Sequence, residues 1–123
     1  MHLLFVDDTF ETRDLFRLCF TLEGHTVDTA HNGPEALRII QQSATQLDVI
    51  IMDQHMPQMT GMQVVEQLRQ IENLPPIPII LFTGEMPGHL ENEAETLGVA
   101  KVVYKPIMPG ELIALAQEVA NKQ

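Results

Sequence analysis

Three aspartates, a threonine and a lysine carry the chemistry that this sequence can do. Asp7 and Asp8 follow the apolar run Leu3 to Val6, Asp53 follows Leu47 to Met52, Thr83 follows Ile77 to Phe82, and Lys105 follows Val99 to Tyr104. A charge that ends an all-apolar run has no packing rationale, because burying it unpaired is costly. Brought together, three carboxylates repel one another and at neutral pH need a cation to share. Hard oxygen ligands with room for water select Mg²⁺ over zinc. A lysine amine and a threonine hydroxyl on the opposite rim add donors for the oxygens of a tetrahedral dianion. Such a pocket suits phosphoryl transfer, with metal and lysine spreading the charge of the equatorial oxygens while a carboxylate oxygen attacks in line. A carboxylate is already ionised at pH 7, so no side-chain base is needed.

Each residue also has a plainer reading. Asp7-Asp8 could be a helix N-cap, Asp53 a turn residue, Thr83 an ordinary strand-end threonine and Lys105 a solvated loop lysine. The chemical reading therefore depends on elements that bring all five to one place. The apolar runs, rich in Val and Ile and bounded by polar or turn residues, predict strands buried on both faces, with Thr26 to Ala30 as a weaker fifth. Between them lie segments of helical spacing. Leu15, Leu18, Cys19 and Leu22 share one face and Gly24 is a C-terminal stop. Pro34 opens a second helix carrying Leu37 and Ile40, and Thr60 caps a third with Val64, Leu68 and Ile71 inside. Leu90, Ala94 and Leu97 mark a fourth, with Glu91, Glu93 and Glu95 outside. Pro109 opens a fifth that buries Leu112, Leu115, Ala116 and Val119. Strand and helix in alternation imply a doubly wound α/β fold, a parallel sheet with helices on both faces. Ligands of such folds bind beyond the carboxyl ends of the strands, where the five residues stand.

The 123 residues carry 7 Lys and Arg against 17 Asp and Glu, a net charge of −10, and 45% are apolar. That describes one compact domain. Too few basic residues are present to neutralise several phosphates, so direct nucleic-acid binding and membrane-surface binding are both disfavoured. The one cysteine, Cys19, excludes an internal disulfide and is expected in the core. No apolar run approaches the ~20 residues of a membrane span. Met1-His2-Leu3 has no basic region of a signal peptide, and a cytoplasmic location is expected.

Phe5-Val6-Asp7-Asp8, the segment Asp53-Gln54-His55-Met56-Pro57-Gln58-Met59-Thr60-Gly61, Leu81-Phe82-Thr83-Gly84 and Tyr104-Lys105-Pro106 together resemble the receiver domains of two-component response regulators over essentially the whole chain. The resemblance implies a flavodoxin-like sheet of five parallel strands in the order 2-1-3-4-5. It also implies a phosphoacceptor that takes its phosphoryl group from a phosphohistidine on a sensor histidine kinase or a histidine phosphotransfer protein. Such a domain assists its own phosphorylation and dephosphorylation and is not otherwise an enzyme. Asp53 matches the phosphorylated residue. Asp8 would ligate Mg²⁺ with Asp53 and the backbone carbonyl of His55, and Asp7 would help mainly through water. Thr83 and Lys105 would each bond a phosphoryl oxygen, and the Lys105-Pro106 peptide is often cis in the family. His55 and Glu85, two positions after Asp53 and Thr83, would tune the hydrolysis rate. The signalling surface would be that of the fourth helix, last strand and fifth helix.

The chain departs from the family pattern in one place that bears on switching. The third residue before the lysine is usually aromatic, yet here it is Val102, and an aromatic occurs instead at Tyr104, on the same face by strand parity. Tyr104 is therefore expected to take the switching role beside Thr83. Ala100-Lys101 and three glutamates stand where dimerising members carry acidic and basic pairs, so a monomer or weak dimer is expected. Residues 1–123 read as a single receiver domain with no output domain visible, leaving a downstream protein or an absent output domain as its target.

Other functions have less support. An Mg²⁺-dependent phosphatase with an aspartate nucleophile needs a second acid where His55 stands. A flavin- or nucleotide-binding module needs a phosphate-cradling loop, and no G-x-G-x-x-G is present. A receiver-like interaction domain independent of phosphorylation has no need of the full acidic set.

Overall fold

The computed structural model describes residues 1–122. Strands and helices alternate along the chain, as β1 (His2–Val6), α1 (Phe10–Leu22), β2 (Thr26–Ala30), α2 (Gly33–Ser43), β3 (Val49–Asp53), α3 (Gly61–Leu68), β4 (Ile79–Thr83), α4 (Glu91–Thr96), β5 (Lys101–Tyr104) and α5 (Pro109–Asn121). The sheet is parallel throughout, in the order β2-β1-β3-β4-β5. Alternate residues of each strand feed the two faces. Leu4, Val6, Ile50, Met52, Ile79 and Leu81 pack against α2, α3 and α4. Leu3, Phe5, Val49, Ile51, Ile80 and Phe82 pack against α1 and α5.

Local signals set the helix ends. Gly24 takes the left-handed conformation just past α1, at φ +90°, and donates its N–H to Thr21 O at 3.0 Å. Thr60 closes a capping box with Gln63 at the start of α3. Past the end of α3, Arg69 reaches across to the far end of α4, where Nε donates to Leu97 O at 2.6 Å and a terminal nitrogen to Gly98 O at 3.3 Å.

Two expectations of packing are corrected. On α1 the inward residues are Phe16 and Phe20, while Leu15, Leu18 and Leu22 are exposed and Cys19 is only partly buried. Every side of this helix carries apolar residues, and the aromatic side wins because it removes more area from water and stacks Phe16 on Phe5 with ring centroids 5.1 Å apart. The edge strands are also less buried than the runs predict. β3 and β4 are buried at every residue, whereas β5 is exposed or half-buried along its length, and β2 buries only Ala30. An edge strand has a neighbour on one side only, and the helix beside β5 is the six-residue α4.

Candidate functional site

The end of β1 is held by one further rung to β2, from Asp7 N to Ala30 O at 3.1 Å. Asp7 then bends its carboxylate back so that Oδ1 accepts the N–H of Thr9 at 2.8 Å. Thr9, not Asp8, occupies the N-cap position of α1. The Asp7 carbonyl accepts from Arg13 at 2.8 Å, and the guanidinium also lies over the Phe10 ring. Asp7 is buried and Asp8 is exposed.

Asp53 ends β3 with only 3% of its surface exposed. The turn that follows is tied down at both ends: Gln54 N donates to Phe82 O, Gly61 N to Gln54 O, and the buried Gln54 Oε1 accepts from Met62 N at 2.8 Å. Gly61 is required by proximity. A Cβ there would sit 2.6 Å from the carbonyl oxygen of Asp53 and 2.9 Å from a Leu81 methyl. The start of α3 thus lies directly against the end of β3.

Oxygens of Asp7, Asp8 and Asp53, one from each, lie within 4.8 Å of one another. From the opposite side Lys105 Nζ comes to 3.3 Å from Asp53 Oδ1, its ammonium 4.9 Å from the centre of the Phe82 ring. The same Oδ1 faces the backbone N–H of His55 at 3.3 Å. Lys105 N donates to Thr83 O at 2.8 Å, and the Lys105–Pro106 peptide is cis.

Burial pushes the Asp53 carboxyl above its ordinary 3.8, with Lys105 and the His55 N–H pulling the other way. Asp7 is raised as well, first by burial and further by Asp53, against the opposing Thr9 N–H. Asp7 Oδ2 is buried without a hydrogen-bond partner among the described residues. A buried acceptor with nothing to accept from, inside a cluster of carboxylates, is what a hard divalent cation satisfies. The residues present fit Mg²⁺.

The other expected residues surround this centre. Thr83 is buried and its Oγ1 accepts the N–H of Glu85 at 3.0 Å, while no hydrogen bond joins it to Asp53 among the described residues. His55 Nε2 and Glu85 Oε1 meet at 3.2 Å, linking the loop after β3 to the loop after β4. Register places Val102 beside Leu81 and Tyr104 beside Thr83, on one face of the sheet. Val102 packs into the core on that face. Sequence reasoning gave no role to Arg13, Phe82, Gln54 or Gly61, all of which position the acids or the lysine. Gly61 and Gln54 lay within a recognised segment, but only their partners in space reveal what they do.

A family model described as the response regulator receiver domain matches residues 3–117. The chain is 33% identical over 112 residues to the response regulator SaeR of Staphylococcus epidermidis, and 36% identical over 121 residues to a probable transcriptional regulator, ycf27, of Cyanidium caldarium. It covers 91% and 98% of itself in these matches and spans 47% of each relative. Among solved structures, the chemotaxis protein CheY4 of Vibrio cholerae superposes with a TM-score of 0.87 at 32% identity, covering 96% of this chain and 97% of that one. The receiver domain of a Pseudomonas aeruginosa sensor histidine kinase, with magnesium coordinated in its active site cleft, shares the fold at 22% identity and a TM-score of 0.84, over 98% of this chain and 97% of that one. With the match running from β1 into α5, the chain belongs to the response regulator receiver domain family of two-component signalling.

Proposed function

We propose that Asp53 is the phosphoacceptor of a signalling switch that takes a phosphoryl group from a phosphohistidine of a sensor kinase or histidine phosphotransfer protein. The observation that carries this reading is the nearly buried Asp53 carboxylate, held between Lys105 and the acid pair Asp7 and Asp8. A carboxylate oxygen of Asp53 attacks phosphorus as the bond to the donor nitrogen breaks. Lys105 neutralises charge on one equatorial oxygen, and Thr83, turned from Glu85, donates to another. Mg²⁺, held by Asp8, Asp53 and the His55 carbonyl with Asp7 behind them, would offset the charge of the incoming phosphoryl group.

The apolar residues Phe10, Leu15 and Leu18, exposed on α1, begin two residues after Asp8, so a donor protein presenting its phosphohistidine to Asp53 covers them. Residues 1–123 act as one receiver domain in the cytoplasm, assisting their own phosphorylation and dephosphorylation, and the response passes through the α4, β5 and α5 surface to an output domain or downstream protein. Incubation with a small phosphodonor and Mg²⁺ should add one phosphoryl group by mass, and Asp53→Ala should abolish the adduct. An adduct that persists in that variant would overturn the assignment.

A further inference from the structure

Among the described residues, three buried side-chain oxygens have no hydrogen-bond partner: Asp7 Oδ2, Glu91 Oε2 and the Tyr104 hydroxyl. The first belongs to the acid cluster. The other two belong to residues lining one groove of about 340 Å³ between α4 and β5, shared with Ala94, Glu95 and Val102. A phenol hydroxyl is a donor and a carboxylate is acceptor-only, so the two are chemically complementary. Each is withdrawn from water, and neither is satisfied in this conformation. A buried polar group left without a partner favours any rearrangement that supplies one.

Both groups connect to Thr83. Tyr104 is its neighbour in register, and Lys105 N, one residue on, is bonded to the Thr83 carbonyl. Glu91 is the first residue of α4, at the far end of the loop whose Glu85 N–H is bonded to Thr83 Oγ1. Turning the Thr83 hydroxyl toward a phosphoryl oxygen takes it from Glu85 and releases the start of that loop. The start of α4 has no side-chain cap to hold it, since Leu90 occupies the N-cap position. The loop can then shift, and Glu91 with it can turn about the buried Leu90.

We propose that Tyr104 and Glu91 form a latch between β5 and α4, open in this structure and closed in the phosphorylated state, when the Tyr104 hydroxyl donates to the Glu91 carboxylate. The proposal rests on the phosphoacceptor reading of Asp53 and adds the contact by which phosphorylation reshapes the α4 and β5 surface. Closing it makes a charge-assisted hydrogen bond out of two unsatisfied atoms.

Tyr104 is the one tyrosine, and tryptophan is absent, so tyrosine emission and the absorbance band beyond that of phenylalanine report this ring alone. The probe is beryllofluoride with Mg²⁺, a phosphoryl mimic whose occupancy of the site is verified by ¹⁹F NMR. In the wild type, occupancy should cause a loss of tyrosine emission and a red shift of its absorbance, as a phenol donating to a carboxylate shows. Glu91→Ala, which removes the acceptor, should abolish most of both changes, and Glu95→Ala, in the same groove, should keep them. Melting of Tyr104→Phe, Glu91→Ala and the double variant should be additive without the mimic and non-additive with it. Full occupancy with unchanged emission, or the same change in Glu91→Ala, overturns the latch alone. Failure of the mimic to bind overturns the phosphoacceptor reading and the latch with it.

Discussion

The two ends of the pocket are built to different standards. Around Asp7 and Asp53 the strand ends are tied to neighbouring strands and turns, a glycine permits contact at backbone distance, and the one unpartnered buried side-chain oxygen among the described residues there, Asp7 Oδ2, lies inside the acid cluster. Around Thr83 and Tyr104 the adjoining strand is half-buried, the covering helix has six residues without a side-chain cap, and two buried oxygens are unpartnered. The acidic side keeps its carboxylates in place despite their mutual repulsion, which takes rigidity. The β4–α4–β5 side is held by fewer bonds, which is what the proposed latch requires.

The comparison breaks most readily at its glycines. Gly61→Ala forces a Cβ against the Asp53 carbonyl, which has no freedom to retreat, and should cost about 1–3 kcal/mol in chemical denaturation. Gly84, just past β4, has open space around its would-be Cβ, and Gly84→Ala should stay within about 0.5 kcal/mol of wild type. Equal costs at the two positions would mean that the halves do not differ in tightness.

A smaller effect sharpens the account of the acidic side. Burial raises Asp7 and Asp53 above 3.8, so between that value and the raised folded values the folded chain keeps protons that the unfolded chain has released. Stability in Mg²⁺-free buffer therefore falls as pH rises through this window. Asp7→Asn, whose amide oxygen can still accept from Thr9, should melt a few degrees higher than wild type at pH 7 without Mg²⁺ and show a flatter pH profile. Saturating Mg²⁺ should stabilise the wild type more than the variant. Calorimetry that finds Asp7→Asn less stable in the absence of Mg²⁺ would contradict this ordering.

The smallest effect lies on the contact between the two halves. His55 and Glu85 meet at 3.2 Å across the two loops that flank Asp53. His55→Ala should change the rate of phosphoryl loss by more than twofold, roughly 0.4 kcal/mol in barrier, and His89→Ala should leave it unchanged. Identical decay in wild type, His55→Ala and Glu85→Ala would remove both side chains from the path of the attacking water.

How much of this was legible in the sequence follows the same division. Buried parallel strands leave continuous apolar runs, so the polar residues that end them stand out, and the strand order followed from the family resemblance. The helix caps at Thr60 and Gly24 are local chemistry and were equally readable. The inward face of α1 was not, because the choice between Leu15 with Leu18 and Phe16 with Phe20 is made by Phe5, a residue of another element. Nor was the shallow burial of β5, which depends on how short a helix lies beside it. The contacts of Gly61 with Asp53 and of His55 with Glu85 are likewise set by the approach of separate elements, and no spacing along the chain encodes their distances.

The bonds from Arg69 to Leu97 and Gly98 give α4 a fulcrum. The helix is hydrogen-bonded to α3 at its C-terminal end and held at the other by the packing of Leu90 alone, which makes it a lever about 9 Å long at 1.5 Å per residue. Under the proposed switching, a displacement delivered through residues 84–90 would become an angle instead of a translation, largest at Glu91 and smallest near Gly98. Amide chemical-shift changes on activation should grade along the helix in that order. Arg69→Ala, by removing the fulcrum, should flatten the gradient while leaving Asp53 able to accept its phosphoryl group.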